Sequence, residues 1–457
     1  MFPKQVFKAY DIRGLVEGEL SDDLAYKIGR AYGMFLRERG LFDEKKWVVV
    51  GYDMRPTSVG YSKAVRNALR DEGFSVVDVG LVSTPLFNFA CAHYSDHVGG
   101  IMITASHNPA EFNGFKMTLG DGTPVGKGNG MEKICSLVEE MFDIVISVKT
   151  GIQGGIKQMN VLEDYITKIF SLVKPEEIKP LKIVLDAGNG MGEVSFVEML
   201  KRLPVQVEYM YLEPDGTFPN HEANPLKIET LKDLQAKVKE IGADFGFALD
   251  GDADRIGLVD EKGEVVDASF VGALAGLEVL RDNPEANMLY DLRSSKIIRD
   301  VWEAQGAMTG MCRVGHALIK KQMKEQGVKF GSELSLHLYY ETMYGVESTD
   351  LSLLYFLRLI SRTGKKMSEL TASLNKYFHS GEINFHTDKK EEILAKLREK
   401  YSDGKVVEMD GFYVEYPTWW FNVRVSNTEP VLRLNLEANT KEEMEEKLAE
   451  VKKIIEQ

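Results

Sequence analysis

The sequence predicts an α/β protein: three similar α/β blocks with mixed, mainly parallel sheets, and a smaller α+β unit at the C-terminal end. Short apolar runs recur along the chain, and each ends in a polar or glycine-rich loop. Helical stretches lie between them, and strand–helix–strand alternation favours parallel strands layered with helices. After residue 370 that alternation gives way to paired strands and charged helices.

In the first block, 1–148, Leu24–Arg39 reads as a helix, Trp47–Gly51 as a core strand, Ser62–Glu72 as a helix, Gly99–Thr104 as a second core strand and Met131–Phe142 as a helix. Lys149–Lys157, rich in glycine and lysine, reads as a linker into the second block, 149–254. There Lys182–Asp186 and Asp244–Leu249 are the strands and Leu231–Ile241 the helix between them. The third block, 255–370, holds the strand Asn287–Asp291, a helix at Ala317–Glu325 and a strand at Val328–Phe330. In the last, 371–457, Glu392–Tyr401 is helical, Trp419–Val425 and Val431–Glu437 are strands, and Lys441–Ile455 is a charged amphipathic helix.

The bulk properties exclude several functions. At 457 residues, 44% hydrophobic and 28% charged, the chain has the make-up of a soluble enzyme with several cores. Its net charge of −14 repels nucleic acid and anionic membranes, so neither is expected as a partner. Any phosphate ligand must then be met by basic groups concentrated locally. No apolar run approaches the roughly 18 residues that span a bilayer. The N-terminal stretch shows no secretory signal, and Cys91, Cys135 and Cys312 form neither a metal pattern nor a disulfide framework. A cytoplasmic setting is expected.

Ligands of open α/β sheets collect beyond the strand carboxyl ends, so the loops after the apolar runs carry the chemistry. After Gly-Ile-Met-Ile103 the chain breaks into Thr104-Ala-Ser-His-Asn-Pro109, a turn that exposes the Ser106 hydroxyl at a strand end. His107 and Asn108 offer donors beside it. Neighbours in an extended stretch point apart, so a simple Ser106–His107 nucleophile pair is not expected. Asn113-Gly-Phe-Lys116 brings an amine close in sequence; it is a general base if buried among cations, or else a fixed charge.

The sharpest signal is Asp250-Gly-Asp252-Ala-Asp254-Arg255, after the apolar run Phe245–Leu249. Three carboxylates at alternate positions converge if the backbone curls, and hard divalent cations want such oxygen-only surroundings. An EF-hand loop is rejected, because its sixth position needs glycine and holds Arg255, and because the flanks are strand-like. An arginine beside a metal loop suits a phosphate near the metal.

Arg424-Val-Ser426-Asn427-Thr428-Glu-Pro430, with Arg433 beyond it, is either an ordinary hairpin or a phosphate cradle of hydroxyls, an amide, backbone N–H groups and arginine. Arg313-Val-Gly-His316 leads into a helix. Gly331-Ser-Glu333-Leu-Ser335-Leu-His337 places a carboxylate and a hydroxyl two residues apart, on one face of an extended segment, where they suit adjacent sugar hydroxyls. His93, His97, His221, His379 and His386 have no motif around them and read as surface or packing residues.

Taken together, and in this order, these motifs resemble the α-D-phosphohexomutase superfamily, within it the phosphomannomutase/phosphoglucomutase group. The resemblance spans the chain from Phe7-Lys-Ala-Tyr10-Asp-Ile-Arg13-Gly through Gly51-Tyr-Asp-Met-Arg55-Pro, Thr104–Pro109, Asn113–Lys116, Asp186-Ala-Gly-Asn-Gly and Asp250–Arg255 to Arg424–Pro430. It implies four domains around a central cleft, with Ser106 as a phosphoserine. It implies one Mg²⁺ per chain, held by Asp250, Asp252, Asp254 and the phosphoserine. Arg13, Lys116, Arg255, His316 and His337 match positions near the reacting groups, and His107 beside Ser106 is a further catalytic candidate. Glu333 and Ser335 match the sugar-reading loop, and Tyr10 and Arg293 match substrate contacts. Arg424, Ser426, Asn427 and Thr428 match the loop that binds the non-reacting phosphate, and Arg433 beyond it is a further substrate-binding candidate.

The implied reaction is reversible phosphoryl transfer between the 1- and 6-positions of mannose and/or glucose phosphates. The hexose 1,6-bisphosphate is intermediate and activator, and it turns around without leaving. The expected partners are small-molecule hexose phosphates, with the chain a monomer or small homo-oligomer. The sequence departs from the family pattern at Ser332 and Leu336, where glycines are usual, at Arg293, where lysine is common, and at Val314, where threonine is usual. A phosphoglucosamine mutase, a metal-dependent sugar-phosphate phosphatase and a non-catalytic sugar-phosphate binder are the alternatives.

Overall fold

The computed structural model describes residues 2–142, 153–425 and 431–457. Three α/β domains are followed by a C-terminal α+β domain. By packing, the chain divides into two compact units: Met1–Val266 with Ser335–Ser368, and Asp267–Leu334 with Glu369–Gln457.

The first sheet contains β1 (Ile12–Leu15), β2 (Trp47–Tyr52), β3 (Ser75–Leu81), β4 (His97–Ile103), β5 (Phe112–Leu119) and β6 (Ile156–Gln158), in the spatial order β1-β5-β4-β2-β3-β6. The β2, β3, β4 and β6 pairings are parallel, whereas β5 runs antiparallel to β1 and β4. Every residue of β4 is buried, as its uninterrupted apolar character requires. Helices α1 (Asp22–Glu38), α2 (Ser58–Asp71), α3 (Thr84–His93) and α4 (Met131–Met141) belong to the same domain. Ser21 caps α1 by accepting from the Leu24 amide, with Asp22 and Asp23 in the first turn. α1 and α2 pack closely because Gly29 has no side chain; a Cβ there would lie 2.9 Å from that of Ala68.

The second sheet runs β10-β9-β7-β8 and is built from β7 (Leu181–Asp186), β8 (Val205–Met210), β9 (Phe245–Leu249) and β10 (Ile256–Asp260). Helices α5 (Leu162–Leu172), α6 (Gly192–Leu200) and α7 (Lys232–Ile241) accompany it. β9 and β10 are antiparallel, with Leu249 opposite Ile256, so Asp250–Arg255 is the loop that closes a hairpin.

In the second unit, β11 (Asn287–Asp291) pairs in parallel with both β12 (Met308–Cys312) and β13 (Phe330–Ser332). Helices α8 (Ala268–Asp282), α9 (Ile297–Glu303) and α10 (His316–Gln326) connect them. The strand expected at Val328–Phe330 begins two residues later. Gly327 takes a left-handed φ of 63°, and the Val328 amide donates back to Met323, so Val328 ends the helix. In the first unit, β14 (Leu338–Tyr340) and β15 (Val346–Glu347) form an antiparallel pair ahead of α11 (Thr349–Thr363).

After α12 (Met367–Ala372) come β16 (Phe378–His379), β17 (Ile383–His386), α13 (Lys390–Lys400), β18 (Lys405–Val407), β19 (Phe412–Glu415), β20 (Trp419–Val425), β21 (Val431–Ala438) and α14 (Lys441–Ile455). This sheet is antiparallel throughout, and its core joins Ile393, Leu397, Phe421, Leu434 and Val451. Among the described residues no helix is long and apolar enough to cross a membrane.

Candidate active site

The chain leaves β4 into a turn, and Ser106 adopts a positive φ of 52°. For a residue with a Cβ this costs about 1 kcal/mol, so the surroundings must hold it. The turn overturns the expectation that Ser106 and His107 diverge: Ser106 Oγ lies 3.2 Å from His107 Nδ1. Divergence needs an extended backbone, which the positive φ abolishes. The Ser106 hydroxyl also donates to Asp250 Oδ2 at 2.9 Å. Burial, and after it Arg255 and Arg13, hold the His107 imidazole well below its ordinary pKa, so it is neutral at pH 7.

The three aspartates of the β9–β10 loop converge as their alternate spacing suggests. Asp250, Asp252 and Asp254 are buried and can each present an oxygen within 4.8 Å of the others. Asp250 Oδ1 accepts the Asp254 and Arg255 amides at 3.0 and 3.1 Å, which curls the loop around it. Burial, then Asp254 and Asp252, push Asp250 up to about 8. Asp254 is also raised by burial, but Lys116 and His337 outweigh that and hold it well below the ordinary carboxylate range. Asp252 Oδ1 is buried and has no hydrogen-bond partner among the described residues. Crowded carboxylates with an orphaned oxygen fit a hard divalent cation.

Cations close around this acidic centre. Lys116 Nζ donates to Asp252 at 2.6 Å and to Asp254 at 2.7 Å. It is buried among carboxylates rather than cations; burial lowers its pKa, but Asp252 and Asp254 reverse the sign and hold it above its ordinary value. The surroundings that would make it a general base, a pocket of cations, are not the ones found here. Arg13 is oriented by Asp11 at 2.7 Å and donates to Asn108 Oδ1 at 2.8 Å. Arg255 Nε lies 3.7 Å from Asp250 Oδ2 and 3.3 Å from His337 Nε2, which is itself 3.2 Å from Asp254. Ser335 Oγ sits 2.8 Å from His337 Nδ1.

Thr84 had no sequence signal beyond its place at a helix start. Its hydroxyl donates to Asp252 Oδ2 at 2.6 Å, and its amide donates to the Asp252 carbonyl at 3.0 Å. The N-terminus of α3 thereby pins the aspartate loop.

The segment expected to present Glu333 and Ser335 on one extended face is a turn. Leu336 has a φ of 69°, the conformation glycine would supply. Its side chain is buried, with Cδ1 against Gly257, and burying a leucine is worth about 2 kcal/mol, enough to offset the backbone strain. Ser332 is likewise accommodated by a missing side chain: a Cβ on Gly272 would overlap its Oγ. Glu333 lies in the second unit, while Ser335 and His337 lie in the first.

A second polar cluster lies wholly in the second unit. Arg293 is clamped by Asp291, with Nη2 2.6 Å from Oδ2, and approaches Glu333 at 3.5 Å. Glu333 Oε1 accepts the Gly315 amide at 3.2 Å, beside His316 at the start of α10. On adjacent strands, Arg424 stands directly opposite Arg433. Like charges so placed repel, and Glu382 relieves the repulsion, 3.1 Å from Arg424 and 3.3 Å from Arg433, with Arg293 3.6 Å away. Arg424 Nε is buried without a hydrogen-bond partner among the described residues. Glu382, a single carboxylate ahead of β17, carried no sequence signal.

The structure thus gathers Arg13, His107, Lys116, Arg255, Ser335 and His337 with Ser106 and the aspartates. It gathers Arg293, Glu333, Arg424 and Arg433, with His316 beside Glu333, in the other unit. Tyr10 is half-buried just ahead of β1. Ser426, Asn427 and Thr428 lie outside the described residues. Val314, where threonine was usual, contributes its amide to Asp410 at 3.1 Å. His221, read as packing, hydrogen-bonds Asp186 at 3.0 Å.

Comparison with known proteins bears on all four domains. Family models described as phosphoglucomutase/phosphomannomutase alpha/beta/alpha domains I, II and III match residues 4–143, 163–263 and 267–377, and the corresponding C-terminal domain matches 369–454. A phosphomannomutase of Methanocaldococcus jannaschii is 37% identical over 450 residues, 98% of this chain and 97% of that protein. A phosphomannomutase/phosphoglucomutase of Pseudomonas syringae pv. tomato is 36% identical over 452 residues, 97% of this chain and 94% of that protein. The crystal structure of a phosphoglucomutase/phosphomannomutase family protein from Burkholderia thailandensis aligns with a TM-score of 0.90 at 31% identity, covering 100% of this chain and 98% of that one. The chain belongs to the phosphoglucomutase/phosphomannomutase family.

Proposed function

We propose that the chain is a phosphohexomutase that moves a phosphoryl group between the 1- and 6-positions of mannose or glucose phosphates, with Ser106 as carrier and a hexose 1,6-bisphosphate as intermediate. The observation that carries this reading is the Ser106 hydroxyl, 2.9 Å from one of three buried aspartates, which Lys116 and Arg255 approach in turn, with Arg13 bound to Asn108 of the same turn. A serine buried among unlike charges is arranged for phosphoryl transfer, which asks mainly for positioning and charge stabilisation.

Asp250, Asp252 and Asp254 would hold one Mg²⁺. When bound, the ion supplies charge neutralisation at the phosphoryl oxygens. Arg13, Lys116 and Arg255 face the same oxygens with fixed positive charge. The hexose hydroxyl forms its new P–O bond as the P–O bond to Ser106 breaks, and the hydroxyl proton ends on the released Ser106 oxygen; the return transfer delivers a proton to the released sugar oxygen in the same way. When Ser106 takes a phosphoryl group back, the bond to the sugar oxygen breaks. The serine proton then passes to His107 Nδ1, 3.2 Å away, in the tautomer that leaves that nitrogen unprotonated. Glu333 and Ser335 read sugar hydroxyls. Arg424 and Arg433, with Ser426, Asn427 and Thr428, bind the end of the substrate that is not reacting, and Tyr10 and Arg293 are further substrate contacts.

The test follows glucose 1-phosphate with Mg²⁺ and a trace of glucose 1,6-bisphosphate. Glucose 6-phosphate should form without matching release of inorganic phosphate, and Ser106→Ala should lower turnover by at least about a thousandfold. Phosphate release without isomer formation would make the chain a phosphatase, and substantial turnover in the variant would exclude Ser106 as carrier. Comparing kcat/KM for mannose, glucose and glucosamine 1-phosphates ranks the sugars.

A further inference from the structure

Arg55 lies between β2 and α2, and it is 1% exposed. Its guanidinium donates to four backbone carbonyls of one loop: Nη2 to Ser106 at 2.9 Å and Asn108 at 2.5 Å, Nη1 to Pro109 and Phe112, each at 2.8 Å. These four span the turn that carries Ser106. Asp53 anchors the arginine from behind, with Oδ2 3.3 Å from Nε and Oδ1 accepting the Arg55 amide at 3.0 Å and Ser58 Oγ at 2.6 Å. The Phe218 ring covers the guanidinium at 5.1 Å.

The carbonyl of Ser106 is also a seat for the aspartate loop. A Cβ on Gly251 would come within 2.4 Å of it, so that loop rests directly on the oxygen Arg55 grips. We infer that Arg55 is a positioning residue: it holds Ser106 in its left-handed turn and in register with Asp250 and Asp252. Buried beneath the turn, it acts on the loop and leaves substrate contact to Arg13. Only a planar fork reaches four separated carbonyls at once; a lysine ammonium cannot. The inference rests on the reading of Ser106 as carrier for its kinetic arm alone.

The test is Arg55→Lys, which keeps charge and length, examined by hydrogen exchange and kinetics in the full chain. Amides of residues 104–112 should exchange at least about tenfold faster while those of the second sheet are unchanged, a readout independent of the reaction. The kcat should fall about a hundredfold, as for a small misplacement of a reacting group, with the KM for glucose 1-phosphate within about threefold. Phosphoryl transfer from glucose 1,6-bisphosphate to Ser106, followed by intact mass, should slow by the same factor as kcat. Unaltered exchange at 104–112 overturns the inference, as does wild-type kcat in a folded variant. Should Arg55→Lys fail to fold, Asp53→Asn is expected to give the same pattern more weakly, with exchange at 104–112 about threefold faster and kcat about tenfold lower, and a variant matching the wild type in exchange and kcat overturns it. A wild-type chain that isomerises nothing defeats the proposed function, while the exchange result still decides the role of Arg55.

Discussion

In the first unit, three buried carboxylates crowd one serine hydroxyl, and burial with its neighbours pushes Asp250 up to about 8. In the second, three guanidiniums converge on Glu382; burial raises its carboxyl, but Arg293, Arg424 and Arg433 bring it below the ordinary value. One cluster has carboxylate oxygens to spare and fits a cation. The other resembles an anion site whose place is held by a carboxylate of the chain itself. Loss of a ligand from the first removes something nothing nearby replaces. A change in the second alters a competition between a side chain and a phosphate. The first should therefore speak through kcat and the second through KM.

Asp252→Asn gives the largest expected effect. Its Oδ1 has no hydrogen-bond partner among the described residues, and an amide also upsets the contacts of Lys116 and Thr84. We expect kcat to fall about a thousandfold, with a much higher half-saturating Mg²⁺ concentration. A fall below about tenfold at ordinary Mg²⁺ would remove Asp252 from the metal site. Arg424→Ala comes next, with KM for glucose 1-phosphate raised about 10- to 100-fold and kcat within a few-fold, the pattern of binding shared by ground and transition states. A large fall in kcat at constant KM would erase the contrast between the clusters.

The two clusters were not equally legible. The spacing of Asp250, Asp252 and Asp254 pointed to a shared centre because a short hairpin loop leaves alternate side chains little choice but to converge. The strands Asn287–Asp291 and Trp419–Val425 were legible from their short, mainly apolar or aromatic runs, and their bounds match the structure. What was hidden depended on left-handed backbone at residues that rarely adopt it. The turn at Thr104–Pro109 was expected but not the left-handed φ of Ser106 that brings His107 to it, and Leu336 turns where an extended path was expected; each is held by tertiary contacts. The end of α10 was legible to within one residue, and only the start of β13 moved, because Gly327 and Val328 complete the helix cap. The convergence of Arg424, Arg433 and Glu382 depends on strand register and on a turn at Gly381, which local pattern does not encode. Lys116 was ambiguous because its role hung on the sign of its neighbours, known only once β5 and the β9–β10 loop were placed together.

The smallest effect tests the competition directly. Glu382→Gln removes the charge that stands among the arginines and keeps the side chain's size. If a substrate phosphate must displace the carboxylate, KM should fall about three- to tenfold with kcat nearly unchanged. Because the folded pKa of Glu382 is lowered from its usual 4.5, the carboxylate is ionised throughout the neutral range, and the gain should be constant from about pH 6 to 8. The same shift fixes a stability signature. An acid whose pKa is depressed on folding contributes stability above its unfolded pKa, and that contribution disappears as pH falls through the folded value. Acid unfolding of Glu382→Gln should therefore be less steep than that of the wild type below about pH 5, while its stability at neutral pH is lower. A raised KM would assign Glu382 the opposite role, that of orienting Arg424 and Arg433 for the phosphate, and the second cluster would then be as preassembled as the first.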